Sequence, residues 1–172
     1  MALRGTIIIP MSQTNGYFHS QTYGTCTPEQ MRRAVLNYLK ADSDHSYRLV
    51  IGTDSQAKNG NGTDFVVALI IHRIGCGGIY FWKRIEETRR YLLKQRMFQE
   101  AIFSLAAAEE FLQLFKTDGI SKFDLEIHVD IGKVGDTRDL IAEIVGMVRS
   151  SGFMVKTKPD SFAASKVADR HT

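Results

Sequence analysis

The sequence predicts an α/β fold: a mixed five-stranded sheet, three antiparallel strands and then two parallel ones, flanked by helices. Three observations carry this expectation. Apolar stretches between Arg48 and Ile85 are joined by short Gly-rich turns, the pattern of an antiparallel meander. From Tyr91 onward, helical and strand-like patterns alternate. A strand reached through a helix returns parallel to its neighbour. The length, 172 residues, suits one domain able to bury a core without disulfide staples.

Residues 1–26 are rich in Gly, Ser, Thr, Asn and Gln, and read as a loose N-terminal arm with a short edge strand at Thr6 to Ile9. A helix follows. Thr27 is a good N-cap, Pro28 fits the first helical position and Glu29 complements the helix dipole. Met31, Val35, Leu36 and Leu39 recur at helical spacing, and the helix stops within Asp42 to Ser46. Arg48 to Thr53 is the first strand. "KNGNGTD" is a hairpin-closing turn, "FVVALIIHRI" the second strand, "GCGG" a turn and "IYFWKRI" the third strand. Tyr91 to Lys116 is a long helix with Phe98, Ala101, Ile102, Leu105, Leu112 and Phe115 as its apolar stripe. Phe123 to Gly132 is the fourth strand, Thr137 to Gly152 an amphipathic helix with a Gly stop, and Phe153 to Pro159 the fifth strand. "DSFAASKVADRHT" closes the chain as a helix capped by Asp160 or Ser161.

Composition narrows the class. Hydrophobic residues at 44% and charged residues at 24% are those of a soluble globular chain, and no apolar run reaches the ~18 residues of a membrane span. "TIIIP" is too short for the apolar region of a signal peptide. Cys26 and Cys76 form no CxxC pattern, hence neither a disulfide framework nor a zinc site. These features together suggest a cytoplasmic protein. The net charge of +3 permits a polyanionic partner without arguing for one, because the Lys and Arg are dispersed.

Asp54 and Asp130 stand out. Each closes an apolar strand, where a bare carboxylate is costly to bury unless paired. Each also fits an ordinary role as a turn or cap residue. If their strands are parallel neighbours, their C-terminal ends meet at the edge where open α/β sheets bind ligands. Two carboxylates in contact repel, and need a shared proton or a cation. An all-oxygen set suits Mg²⁺ or Mn²⁺. The residues alone leave both readings open.

The element order, with "IGTDSQ", "HVDIG" and "KPDSFAASKVADRHT", resembles the ribonuclease H-like superfamily. More narrowly, it looks like the uncharacterised YkuK-type family of ribonuclease H-like proteins, over about Tyr47 to Thr172. The resemblance implies one ribonuclease H-like domain over residues 27–172, including a preceding N-terminal helix. It implies four acids, from the first strand, the first core helix, the fourth strand and the last helix: Asp54, Glu100, Asp130 and Asp169. Glu109 is the competing helical acid. It lies on a different face, and one helix cannot aim both at one metal; Glu100, followed by "AIFSLA", fits the family placement. Taken alone, Asp169 reads as a surface partner of Lys166.

The implied activity is a divalent-metal-dependent nuclease that hydrolyses phosphodiester bonds in RNA, RNA/DNA hybrid or structured DNA, with Mg²⁺ or Mn²⁺ as cofactor. In the implied two-metal mechanism, Asp54 bridges both ions, Glu100 and Asp130 hold the ion at the leaving group, and Asp169 holds the ion that activates water. The alternative is a non-catalytic nucleic-acid- or protein-binding module that retains the fold. An actin-like sugar kinase would begin with Asp-Gly-Thr, whereas the order here is Gly-Thr-Asp. Of the remaining residues, His128 reads as a hydrogen-bonded strand histidine and His171 as part of a frayed end. Lys133, Lys156 and Lys158 read as solvated surface, and Tyr80 with Trp82 as packing rather than base stacking.

Overall fold

The computed structural model describes residues 16–132, 138–161 and 170–171. Its centre is a meander of three 11-residue strands: β3 (Tyr47–Ala57), β4 (Thr63–Arg73) and β5 (Gly77–Glu87). The β4–β5 turn places Gly75 and Gly77 at φ +84°, a conformation that L side chains rarely adopt. Registers run Asp54↔Val66 and Val66↔Arg84 across the three strands. Strand β6 (Leu125–His128) pairs parallel with β3, and β7 (Met154–Lys156) parallel with β6. The expected mixed α/β arrangement is therefore present, antiparallel on one side and parallel on the other.

The sheet has seven strands rather than five, in the order β2-β1-β5-β4-β3-β6-β7. The two extra strands, β1 (Phe18–Ser20) and β2 (Gly24–Cys26), come from the stretch expected to be a loose arm. They form a hairpin whose first strand pairs with β5 at His19↔Trp82. Their polar composition hides a long-range pairing, while Cys26 and Phe18 supply the apolar contacts that hold the hairpin to the core. The strand expected at Thr6 to Ile9 and the helix expected after Asp160 lie outside the described residues, apart from Ser161, Arg170 and His171.

Helix α1 (Pro28–Lys40) starts as its signals require. The Thr27 hydroxyl accepts from the Gln30 amide at 3.2 Å, and the Gln30 side chain accepts from the Thr27 amide at 2.9 Å, a closed capping box. Helix α2 (Leu93–Leu114) packs on β3, and its buried face differs from the expected stripe. Glu100, Ala101, Phe103, Ser104, Ala108, Phe111 and the cap residue Phe115 are buried, whereas Phe98, Ile102, Leu105 and Leu112 are half-exposed. Apolar residues surround this helix, so hydropathy does not locate its inner face. The small Ser104 and Ala108 do, because they let the helix approach the sheet closely. Helix α3 (Ile141–Ser150) begins after a 3₁₀ turn at Arg138–Leu140, later than the expected start at Thr137.

Alternation along β3 sorts its side chains. Leu49, Ile51, Thr53 and Ser55 face the helices; Val50, Gly52 and Asp54 face the other side. The helix side is the main core, in which Phe65, Phe81, Phe115, Leu125 and Ile127 are fully buried. No described helix is long and apolar enough to cross a membrane.

Candidate functional site

Asp54 is not at a strand end. Strand β3 continues to Ala57, so Asp54 is a half-buried residue within it, opposite Val66. Its strand outlasts the apolar run because Asp54 to Ala57 stay in register with the long strand β4. Asp130 in turn lies two residues past the end of β6, which stops at His128. The parallel register ends at Gly52↔His128. Beyond that end Asp54 continues along β3 while Asp130 leaves the pairing, and both carboxylates lie near enough to act on the charge of Glu100. The chain here is held by Val129 N–H donating to the Lys156 carbonyl and Lys158 N–H donating to the Ile131 carbonyl, both at hydrogen-bond distance.

The third acid arrives from α2. Glu100 is only 2% exposed. The Ser55 hydroxyl, next to Asp54 in the chain, donates a short hydrogen bond to its Oε1. Its pKa is pushed up to about 8, first by burial and further by the negative charges of Asp54 and Asp130. The Ser55 hydrogen bond and the nearby Arg96 act in the opposite direction without prevailing. Arg96 also donates to the Ser55 carbonyl at 3.4 Å. Glu109, by contrast, is exposed on the outer face of α2 and pairs with Lys122 at 3.3 Å. Of the two helical glutamates, Glu100 is the one that reaches the Asp54–Asp130 edge.

Three of the four expected acids, Asp54, Glu100 and Asp130, thus share one end of the β3–β6 pair. Asp169 lies outside the described residues, as do Lys133 and Lys166. Among the described residues, no three His, Cys, Asp or Glu side chains are grouped closely enough to hold one ion. Strand alternation explains the spread: Asp54 points to the face away from α2, whereas Glu100 comes from α2 itself. The donor chemistry still fits a hard divalent cation, since every acid is an oxygen ligand and the charges of Asp54 and Asp130 raise the cost of ionising Glu100. Two cations border the cluster. Lys158, exposed as expected, contacts Asp130 Oδ1 at 2.8 Å, and Arg96 lies near Glu100.

His128 behaves as expected. It is buried, hydrogen-bonded to Glu126 at 3.0 Å, and burial lowers its pKa. His171 does not: far from a frayed end, its ring stacks on Trp82 with centroids 4.2 Å apart. Ser55 and Arg96 carried no signal in the sequence beyond Ser55 following Asp54.

Comparison with known proteins agrees with this architecture. The family model described as Ribonuclease H-like matches residues 30–172. The chain is 34% identical over 166 residues to the "Uncharacterized protein YkuK" of Bacillus subtilis (strain 168), covering 90% of this chain and 96% of that one. No solved structure matches.

Proposed function

Because the chain belongs to the ribonuclease H-like family, and to its YkuK-type branch, we propose that it is a divalent-metal-dependent nuclease hydrolysing phosphodiester bonds in nucleic acid. The observation that carries this reading is Glu100: a buried carboxyl whose pKa is lifted to about 8 beside two further carboxylates at the ligand edge of the sheet. A purely structural site would gain by an apolar residue there.

In this reading Asp54, Glu100 and Asp130 hold the metal, with Asp169 as a fourth ligand. Bound Mg²⁺ or Mn²⁺ would supply Lewis-acid stabilisation and a water of lowered pKa. The chain's own groups do the rest. Ser55 fixes the Glu100 carboxyl by donating to one of its oxygens. Lys158 and Arg96 balance carboxylate charge and lie where they can meet a scissile phosphate. RNA, RNA/DNA hybrid and structured DNA all suit this chemistry.

The test is a cleavage assay on these three substrates with Mg²⁺ or Mn²⁺. Native protein is expected to cleave at least one, chelation to stop it, and Asp54→Asn to lower the rate by about 10²-fold or more. Full activity in Asp54→Asn would overturn the assignment. Two observations favour a non-catalytic module instead: Lys158 already pairs with Asp130, and the three described acids do not converge on a single point. In that case native protein binds nucleic acid without cleaving it under any metal.

A further inference from the structure

Strand β5 alternates as β3 does. Ile79, Phe81 and Lys83 turn toward the helices, so Tyr80, Trp82 and Arg84 turn to the face that Asp54 shares. Register aligns Trp82 with Ala68 and Gly52, and Arg84 with Val66 and Asp54. Two strand spacings separate Arg84 from Asp54, about 10 Å. On this face His19 lies beside Trp82 with ring centroids 4.7 Å apart. His171 stacks on the indole at 4.2 Å with ring planes within 14°, and Arg84 donates to the His171 carbonyl.

These residues bound an open cleft of about 550 Å³ between the β1–β2 hairpin and the Arg170–His171 segment. Tyr80 and Trp82 form its floor. His19 and Thr25 line one wall, Arg170 and His171 the other. Among its described lining residues there is no carboxylate. This contrasts with the acid edge nearby. An aromatic floor takes a flat ring, and a cationic, acid-free rim takes a phosphate.

We propose that this cleft binds an unpaired nucleobase and its phosphate from a single-stranded nucleic acid. The base continues the Trp82–His171 stack, and Arg170 meets the phosphate. The proposal rests on the nuclease reading for the identity of the polymer. It places a single-stranded flank about one to two nucleotides from the acids. A base inside a duplex has its faces covered by its neighbours, so only an unpaired one can enter.

Trp82 is the single tryptophan of the chain, so emission excited beyond the tyrosine absorption band reports on this cleft alone. The experiment titrates the protein with fluorophore-labelled oligo-dT and oligo-rU octamers in EDTA, reading Trp82 emission and the anisotropy of the label. Saturable quenching is expected with single strands and not with a blunt duplex of the same length. Tyr80→Ala and Arg170→Gln are each expected to weaken binding by about tenfold. Arg170 is exposed, so its variant is free of a folding hazard. Absence of binding, binding with unchanged Trp82 emission, or unaltered affinity in both variants would overturn the cleft. Failure of the nuclease reading looks different: quenching without cleavage under Mg²⁺ or Mn²⁺ keeps the cleft and removes the enzyme.

Discussion

Glu100 concentrates the chemistry in one side chain, and its titration has a definite sign. Its carboxyl titrates near 4.5 when unperturbed and near 8 in the fold. Between those values the native state holds a proton that the unfolded chain has released, so stability falls as pH rises from about 4.5 to 8. Glu100→Gln removes that slope. Urea denaturation should find this variant more stable than native protein at pH 8, by on the order of a few kcal/mol, with little difference at pH 4.5. Asp54→Asn removes one of the charges that raise Glu100, so the Glu100 midpoint, followed by NMR, should move below about 8. Lys158 competes with any cation for Asp130. Lys158→Gln should therefore tighten Mn²⁺ binding severalfold, read by calorimetry.

At the scale of elements, α2 and β3 are joined by a polar pair inside the core. Thr53 Oγ1 and Ser104 Oγ lie 2.8 Å apart, and both residues are buried. Thr53→Val leaves the Ser104 hydroxyl buried without that partner and should cost about 1–3 kcal/mol; adding Ser104→Ala should recover part of the loss in a double-mutant cycle. This pair also shows the limit of reading elements from sequence. The start of α1 was legible because Thr27, Pro28 and Glu29 act on their own neighbours. The β3–β5 meander was legible because its Gly-rich turns are local signals. The β1–β2 hairpin was not, since it depends on His19 meeting Trp82 from far along the chain. The inner face of α2 was read only in part: Ala101 and Phe115 of the expected stripe are buried, but the small Ser104 and Ala108 share that face with Phe103 and Phe111, while apolar residues on the other sides blur the pattern. Asp54 and Asp130 were visible as carboxylates out of place in apolar strands, though Asp54 proves to lie within its strand. Ser55 and Arg96 gain meaning only through the contacts between β3 and α2, and no spacing in the sequence encodes those.

Across the whole molecule, strand order is what assembles the site. Placing β6 parallel to β3 brings Asp130 to the same end of the sheet as Asp54, although 75 positions of chain, with β4, β5 and α2, intervene between Asp54 and the acid-bearing turn. Placing α2 against β3 adds Glu100. The same order leaves the aromatic cleft on the sheet face that Asp54 shares, so Asp54 and the cleft lie along one path for a strand. The most direct measurement is a calorimetric Mn²⁺ titration of native protein and of Asp54→Asn, which requires no choice of substrate. Binding at millimolar or tighter affinity in native protein, strengthening as pH rises toward 8 and Glu100 ionises, and lost in Asp54→Asn, is the predicted result. Equal binding by both proteins, or none by the native protein at several millimolar, would contradict a metal centre at the Asp54, Glu100 and Asp130 edge.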